Sequence, residues 1–343
     1  MPTNVTPEYK KAEEAYRAAR EPKDRLDCLK QMLSTIPKHK GTEHLQADIK
    51  SRIKELTEEL AGPKKGAKRS GPALVIRPEG AAQVALLGPP NSGKSALHQR
   101  LTGSRAQPGP GPFITQFPEP GMLPMEDIAF QLIDLPSMSP EHSPPWIGSS
   151  LQGCDAALLV VDLADPACTE HVDFILRTLA EKKVSLIAEW PAPGAATPAT
   201  PDGAALDDPF RIELPTLLVA NKSDLSGDPE EIAVFEELLG LRFPALRVSA
   251  ETGQGLGELA PWLFRALGVV RVYTKAPGKD VERDRPFTVR AGDSVLDVAR
   301  LVHKDMAEGF RFARMWGENV FDGQQVGAEQ PVADGDIVEL HAR

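Results

Sequence analysis

The stretch Gly88-Pro-Pro-Asn-Ser-Gly-Lys-Ser95 is the strongest indication of the fold, because its glycines, lysine and serine have the spacing G-x-x-x-x-G-K-S. The apolar residues 84–87 precede it, and a helix-compatible pattern continues from Ala96. In a strand, loop and helix of this kind, the backbone N–H groups and the helix N-terminus surround phosphate oxygens. The stretch therefore predicts a P-loop that binds a nucleoside triphosphate.

Each residue type in this loop has a chemical reason to be there. The glycines allow the backbone to approach the phosphates closely, Lys94 is expected to reach the β- and γ-phosphates, and the Ser95 hydroxyl is expected to bind Mg²⁺. The predicted phosphate-binding residues are Gly88, Asn91, Ser92, Gly93, Lys94, Ser95 and Ala96.

Composition limits the class of protein. The 343 residues suggest two or three domains, and 41% hydrophobic with 26% charged residues is typical of a soluble globular protein. A net charge of −10 argues against nucleic-acid binding over the whole surface but permits a local basic patch. The longest apolar run, residues 156–161, is too short to span a bilayer, and the N-terminus is polar. We therefore expect a cytoplasmic protein without membrane insertion.

Four segments follow one another along the chain. Residues 1–61 predict helices, with an apolar stripe at Leu45, Ile49, Ile53, Leu56 and Leu60. Either these helices pack together or they form a solvated extension. Residues 62–72 predict a flexible basic linker. Residues 73–268 predict a G domain, the nucleotide-binding domain, and residues 269–343 predict a second, smaller domain.

The segment 73–268 alternates apolar runs with helical patterns, which predicts a mostly parallel α/β sheet with helices on both faces. The expected strands are Gln83–Leu87, Ile128–Ile133, Ala156–Val161, Val184–Glu189, Leu217–Ala220 and Leu246–Val248. The expected helices are Lys94–Leu101, Glu170–Glu181, Pro229–Leu239 and Leu256–Leu267. The tract Pro191–Asp208 has no periodicity and predicts a flexible excursion.

The last segment predicts a small sheet crossed by one helix. Its expected strands are Val270–Tyr273, Phe287–Arg290, Phe310–Trp316 and Ile337–His341. Ser294 is a plausible N-cap for a helix that ends near His303. The segment has no pair of carboxylates or nucleophile and base, so it indicates a binding module.

Two further residues fit a magnesium site. Thr115 follows Ser95 by about twenty residues in a loop rich in Gly and Pro, where it could bind the metal and respond to the γ-phosphate. Asp134 ends an apolar strand, as a Walker B acid does, and is expected to contact the metal through water. The predicted metal set is Ser95, Thr115 and Asp134.

A second group of residues predicts guanine as the base. Asp224, in the string Asn221-Lys-Ser-Asp224, offers a carboxylate that can accept both N–H donors of the guanine edge. Asn221 is expected to brace the loops and Lys222 to cover the base. Ser249 and Ala250 follow the last strand and are expected to bring a backbone N–H to the guanine carbonyl.

The catalytic residues depart from the usual arrangement at two positions. Ser137 stands where a glycine would give an unhindered N–H to the γ-phosphate, and Met138 stands where Ras-like enzymes place a water-orienting glutamine. We therefore expect slow hydrolysis unless another group assists. Asn91 is one candidate, by holding a potassium ion, as it does in several GTPases with the same string; Glu141 and His142 are weaker candidates.

With these residues in place, the chain resembles TGS-domain GTPases of the Obg/DRG class. The resemblance rests on the P-loop, on Phe113-Ile-Thr115, on the string Lys38 to Leu45, and above all on a set of tail strings. These are residues 270–275, 303–305, 313–317, 326–327 and 334–340. The tail resembles a TGS domain, a ubiquitin-like β-grasp fold. The inserted domain of DRG proteins and the glycine-rich N-terminal domain of Obg proteins have no counterpart here.

The resemblance implies binding of GTP and GDP and association with a ribosomal particle or RNA. The expected function is slow, Mg²⁺-dependent GTP hydrolysis, with Lys94, Thr115 and Asn91 as the catalytic residues. One alternative is a nucleotide-dependent binding protein with little hydrolysis. Another is an RNA-binding regulator that uses the basic linker residues Lys64, Lys65, Lys68 and Arg69, with the G domain as a scaffold.

Overall fold

A computed structural model describes residues 6–19, 22–37, 42–61, 74–104, 115–191, 210–225, 228 and 230–342. The predicted basic linker 62–72, Phe113, Ile114, Pro229 and nearly all of the excursion at 191–208 lie outside these ranges. The chain divides into two units, namely residues 1–77 with 200–212, and residues 78–199 with 213–343.

The N-terminal unit is a packed group of three helices. These are α1 (Pro7–Ala18), α2 (Pro22–Thr35) and α3 (Glu43–Ala61). Thr6 caps α1 by accepting a hydrogen bond from the Tyr9 backbone, and Pro7 occupies the first turn, where its missing N–H costs nothing. The apolar stripe of α3 faces the interior, with Ile49 fully buried, although the side chain of Leu60 lies outside the described part. The helices therefore pack, as the first of the two alternatives predicted.

Phe210 completes this small core, although it lies far along the chain from the helices. Its side chain is 3% exposed, its ring packs edge-on against Tyr16 with centroids 5.9 Å apart, and the Arg52 guanidinium lies 4.3 Å from the ring centre. Burial of an aromatic ring contributes several kcal/mol in a core of this size, on the order of 3. The segment before strand β6 therefore contributes to the helical unit, which the sequence did not indicate.

The first part of the second unit is a seven-stranded sheet in the order β2-β3-β1-β4-β6-β5, with β7 also paired to β6. The strands are β1 (Gln83–Leu87), β2 (Glu119–Met125), β3 (Ile128–Asp134), β4 (Ala156–Asp162), β5 (Val184–Ile187), β6 (Ile212–Asn221) and β7 (Ala245–Arg247). Helices α4 (Lys94–Thr102), α5 (Ile147–Ser150), α6 (Cys168–Glu181), α7 (Glu231–Leu239) and α8 (Leu259–Ala266) connect them, with a 3-10 turn at Leu256–Glu258.

The sheet confirms the predicted fold class, but several bounds differ from those expected: β6 begins at Ile212 rather than at Leu217, and β7 is Ala245–Arg247 rather than Leu246–Val248. Strands β3, β1, β4, β6 and β7 pair in parallel, whereas β2 pairs antiparallel with β3. Strand β2 was not predicted, because Pro120, Gly121 and Pro124 are typical of turns; as an edge strand, β2 tolerates them. Strand β5 ends at Ile187 rather than at Glu189. Among the described residues, no helix is both long and apolar enough to cross a membrane.

The C-terminal part is a five-stranded sheet in the order β11-β10-β12-β8-β9. Its strands are β8 (Val269–Thr274), β9 (Glu282–Arg290), β10 (Phe310–Gly317), β11 (Val320–Val326) and β12 (Asp336–Ala342), with helices α9 (Val295–Val302) and α10 (Lys304–Glu308). The first and last strands, β8 and β12, are parallel neighbours at the centre and the other pairs are antiparallel. This order is the β-grasp arrangement expected from the resemblance. The sequence missed β11, which is partly exposed along most of its length, and α10.

Helix α9 begins with a capping box that makes stability depend on pH. The Ser294 backbone N–H and hydroxyl donate to Asp297 at 2.9 and 2.7 Å. Burial alone would raise the pKa of Asp297, but these hydrogen bonds and the nearby Arg300 lower it below its ordinary value. The carboxylate therefore stabilises the fold above its unfolded-state pKa of about 3.9, and this contribution is lost as pH falls through the lower folded-state pKa.

We predict that Asp297→Asn lowers the free energy of unfolding by about 1 kcal/mol at pH 7. Urea unfolding followed by circular dichroism measures the difference. This difference between the two proteins should narrow progressively below about pH 4, because the Asp297 carboxylate of the wild type becomes protonated there. The exposed Glu329→Gln substitution is the matched control and should leave stability within about 0.5 kcal/mol of wild type. A difference for Asp297→Asn that is constant with pH would contradict this account.

Candidate nucleotide-binding site

The loop 88–95 connects buried strand β1 to helix α4 in a conformation that needs glycine at two positions. Gly88 has φ 152° and Gly93 has φ 85°, both outside the range that other residues adopt readily. A Cβ on Gly88 would lie 2.1 Å from the Val160 carbonyl oxygen, and one on Gly93 would lie 2.3 Å from Asn221 Nδ2. Because α4 begins directly at Lys94, its first backbone N–H groups are available to an anion at this loop.

Three predicted metal ligands meet at the end of this loop. Ser95 Oγ donates to Asp134 Oδ2 at 2.6 Å, and Thr115 Oγ1 donates to the same oxygen at 3.1 Å. The two hydroxyl oxygens are 3.0 Å apart. Ser95 lies in the first turn of α4 and Asp134 ends β3, so two different elements that flank β1 bring them together. The structure therefore groups residues that are 20 and 39 positions apart in the sequence.

The oxygens of this cluster fit a magnesium ion. Two hydroxyls and a carboxylate are the hard oxygen ligands that Mg²⁺ prefers, and the ion usually keeps several waters. Asp134 is 1% exposed, and its Oδ1 atom is buried without a hydrogen-bond partner among the described residues. A buried carboxylate oxygen that lacks a donor is costly, and a metal-bound water would supply that donor. Ser95 and Thr115 are thus the direct ligands that fit, with Asp134 acting through water.

Lys94 is a buried cation whose hydrogen-bond partner is neutral. Its side chain is 4% exposed, and its ammonium donates to Ser137 Oγ at 2.7 Å. Burial lowers the pKa of Lys94 below its ordinary value, and the negative charge of Asp134 partly opposes this shift. A buried ammonium is expensive unless an anion lies beside it. The position therefore favours a bound phosphate group.

Asn221 joins the phosphate loop to the loop after β7. Its Nδ2 atom donates to the Ser92 carbonyl at 2.9 Å, and its Oδ1 atom accepts from the Ala250 backbone N–H at 3.0 Å. Asn221 is 5% exposed, so both bonds are shielded from water. Ser249, fully buried, accepts from the Thr252 N–H at 3.0 Å and holds the second loop in a turn. Asn221 therefore links the two loops through both ends of its amide group.

The remaining guanine-motif residues lie at the carboxyl end of β6. Lys222 has a positive φ of 60°, and its ammonium pairs with Asp162 Oδ2 at 2.7 Å. Asp224 is exposed, in the turn that follows. Sequence reasoning missed Asp162. Its position at the carboxyl end of β4, beside the P-loop strand, could have identified it, since ligand sites of parallel sheets lie at that edge.

The segment after Asp134 contains Met138 and the two weaker catalytic candidates, Glu141 and His142. Met138 is fully buried, so its side chain belongs to the core and is not directed at a water molecule. Residues Ser139 and His142 exchange backbone hydrogen bonds of 2.9 and 3.0 Å in a tight turn. A hydrogen bond from Ser139 lowers the pKa of the exposed Glu141 carboxyl. Glu141 and His142 are both exposed.

Two family models match the chain, one for each part of the second unit. A model described as "50S ribosome-binding GTPase" matches residues 83–189, and a TGS domain model matches residues 270–342. Among solved structures, a GTP-binding protein of Pyrococcus horikoshii OT3 has a TM-score of 0.50 at 17% identity, covering 76% of this chain and all of that one. The YchF GTPase of Schizosaccharomyces pombe has a TM-score of 0.51 at 15% identity, covering 78% of this chain and all of that one. These two likenesses concern the fold.

Two relatives align with more than nine-tenths of this chain. An uncharacterized GTP-binding protein of Halobacterium salinarum is 26% identical, covering 93% of this chain and 98% of that protein. Developmentally-regulated G-protein 1 of Arabidopsis thaliana is 24% identical, covering 92% of this chain and 90% of that protein. The chain therefore combines a region that matches a GTPase family model with a TGS domain, and over more than nine-tenths of its length it is similar to DRG-like GTP-binding proteins.

Proposed function

We propose that the chain is a cytoplasmic, Mg²⁺-dependent GTPase with slow intrinsic hydrolysis, whose nucleotide state controls association with a ribosomal particle or RNA. The observation that carries the proposal is the convergence of Ser95, Thr115 and Asp134 beside the buried ammonium of Lys94. These residues match, in type and position, what phosphoryl transfer from a nucleoside triphosphate requires.

The chain's own groups act on the phosphates in a definite way. Lys94 exchanges the Ser137 hydroxyl for phosphate oxygens, and the first N–H groups of α4 bind the same oxygens. Magnesium, when held by Ser95 and Thr115, neutralises charge that develops on the phosphates. Water attacks the γ-phosphorus, the bond to the β-γ bridging oxygen breaks, and GDP leaves with inorganic phosphate. The proton of the water leaves with the phosphate.

A second candidate function is nucleotide-dependent binding with little hydrolysis. Met138 is buried, so no side chain at that position orients water. The Ser137 hydroxyl accepts a hydrogen bond from the Lys94 ammonium. Asn91 is the residue that we propose to help hold potassium, and that role would favour the GTPase; its backbone lies at φ 60°. The two functions differ in whether any condition produces turnover.

Association with a ribosomal particle is supported by the description of the family model that matches residues 83–189 and by the resemblance of the tail. The rival view, an RNA-binding regulator with the G domain as a scaffold, requires the basic residues of the linker. In that case, neutralising Lys64, Lys65, Lys68 and Arg69 together would abolish ribosome association whichever nucleotide is present. Unchanged association of that variant would exclude the rival.

The base specificity follows from Asp224. We predict that the wild-type chain binds GDP at least about 100-fold more tightly than ADP, because two charge-assisted hydrogen bonds discriminate the purine edge. Asp224→Asn replaces an acceptor with a donor on one side and should cost about 100-fold in GDP affinity while improving affinity for xanthosine diphosphate. Titration calorimetry measures all three ligands. The control is Glu237→Gln on the exposed side of α7, and equal affinities of wild type for GDP and ADP would refute the guanine site.

Turnover should be well below about one per second in sodium buffer without a partner, because Met138 cannot position water and Ser137 replaces the glycine whose N–H would reach the γ-phosphate unhindered. Potassium should accelerate single-turnover hydrolysis of the wild-type chain, and Asn91→Ala should reduce that acceleration while retaining GDP binding. Purified ribosomes provide a third condition. Fast turnover in sodium alone would contradict the slow-enzyme account, and no turnover in any condition would favour the binding protein.

A further inference from the structure

Strands β2 and β3 form a hairpin with the metal ligands at its open end. The two strands pair over their whole length, from Glu119 opposite Asp134 to Met125 opposite Ile128. Thr115 lies just before β2, so the open end holds two of the three predicted metal ligands. The closed end is a two-residue turn, Glu126-Asp127. At about 3.4 Å per residue, the two ends are roughly 20 to 25 Å apart.

The closed end of this hairpin is held by the TGS domain. Tyr273 Oη on β8 donates to Asp127 Oδ2 at 2.5 Å, and Arg271 Nη1 donates to Asp127 Oδ1 at 3.0 Å. Arg271 Nη1 also donates to the Glu126 carboxylate. Both residues of the turn therefore bind side chains of one TGS strand.

Arg271 is fixed in place by its own domain. Its Nε and Nη2 atoms form a two-point contact with Asp334 at 3.0 and 2.8 Å, and Asp334 also accepts from the Arg271 backbone N–H at 2.8 Å. On its remaining side, toward the G domain, the guanidinium lies 5.2 Å from the ring centre of Phe264 in α8. The Arg271 side chain is only 16% exposed. A planar guanidinium held at this many points has little freedom to follow the turn if the turn moves.

The contact between the hairpin turn and the TGS domain depends on a single positive charge. One guanidinium binds three carboxylates, those of Glu126, Asp127 and Asp334. Burial alone would raise the pKa of Asp127, but the hydrogen bonds from Tyr273 and Arg271 lower it, so the carboxylate is ionised at neutral pH. Without the guanidinium, the carboxylates would repel one another across the junction between the two domains.

A second contact gives the TGS domain a fixed point on the central sheet. Arg290 Nη2 on β9 lies 3.1 Å from Asp155 Oδ1, just before β4, and Asp155 Oδ2 accepts from the Gln83 N–H at 2.8 Å at the start of β1. The β8–β9 pair thus contacts the buried centre of the sheet at one place and the hairpin turn at another. Strand β3 is held against β1, whereas β2 pairs with β3 alone among the described strands, so β2 and the turn are the part of the hairpin that can shift against that fixed point.

We propose that the contact of Asp127 with Arg271 and Tyr273 couples the nucleotide site to the TGS domain. Closure of Thr115 and Asp134 around a triphosphate and its metal moves the open end of the hairpin, and the closed end transmits that movement to β8. Arg271 and Tyr273 are accordingly positioning residues for the metal ligands, although they lie in the other domain. The inference rests on the proposed function, since it presumes that the chain binds GTP and GDP.

Coupling of this kind is reciprocal and so can be measured from the nucleotide side. The measurement is the ratio of the dissociation constants for GDP and for a non-hydrolysable GTP analogue, each titrated with Mg²⁺ into the full chain. Asp127→Asn and Tyr273→Phe should each change this ratio by about fivefold or more, the lower limit of typical coupling. Asp322→Asn, on the exposed part of β11, is the control and should leave the ratio unchanged.

Amide hydrogen exchange of the full chain provides a second readout. In the wild type, exchange in β8 should slow when the GTP analogue replaces GDP, and Tyr273→Phe should abolish that difference while the chain stays folded. A purely structural role would lower thermal stability but leave the nucleotide ratio and the exchange difference intact, which would overturn the coupling. A wild type that binds neither nucleotide would overturn the proposed function, and the coupling with it.

Discussion

A buried ammonium group determines the arrangement of the nucleotide site. Lys94 is 4% exposed and bonds to a neutral hydroxyl, so the fold holds a positive charge where water cannot solvate it. Strand β1, the strained glycine loop and helix α4 are the elements that hold it there, and β3 brings Asp134 alongside. This position favours an anion beside Lys94, and the adjacent oxygens of Ser95, Thr115 and Asp134 suit the magnesium ion that we propose to accompany it.

The β2–β3 hairpin belongs to the sheet of the G domain, and its turn contacts the TGS domain. At its open end lie groups suited to magnesium, and at its closed end lie the carboxylates that Arg271 and Tyr273 bind. The hairpin, whose two strands pair over their whole length, therefore connects the predicted magnesium ligands to the TGS domain.

The local parts of this arrangement could be predicted from the sequence, and the non-local parts could not. The P-loop, Asp134 and Asn221 were found because each sits at a strand end with a fixed spacing of residue types. Strand β2 was missed because its prolines and glycine are typical of turns and only its edge position tolerates them. Phe210 and the Asp127 contact were missed because one aromatic ring or one carboxylate carries no periodic signal, and its partner lies more than a hundred residues away.

We infer that the Lys94 ammonium binds phosphate. The substitution Lys94→Met is the sharpest test, because it removes the charge and keeps the apolar stem. Titration calorimetry with GTP and Mg²⁺ should show at least about 100-fold weaker binding than in the wild type. Thermal unfolding without nucleotide should occur at the same or a higher temperature, since a poorly paired buried charge has been removed. Equal affinity of both proteins for GTP, or a large loss of stability without nucleotide, would contradict the account.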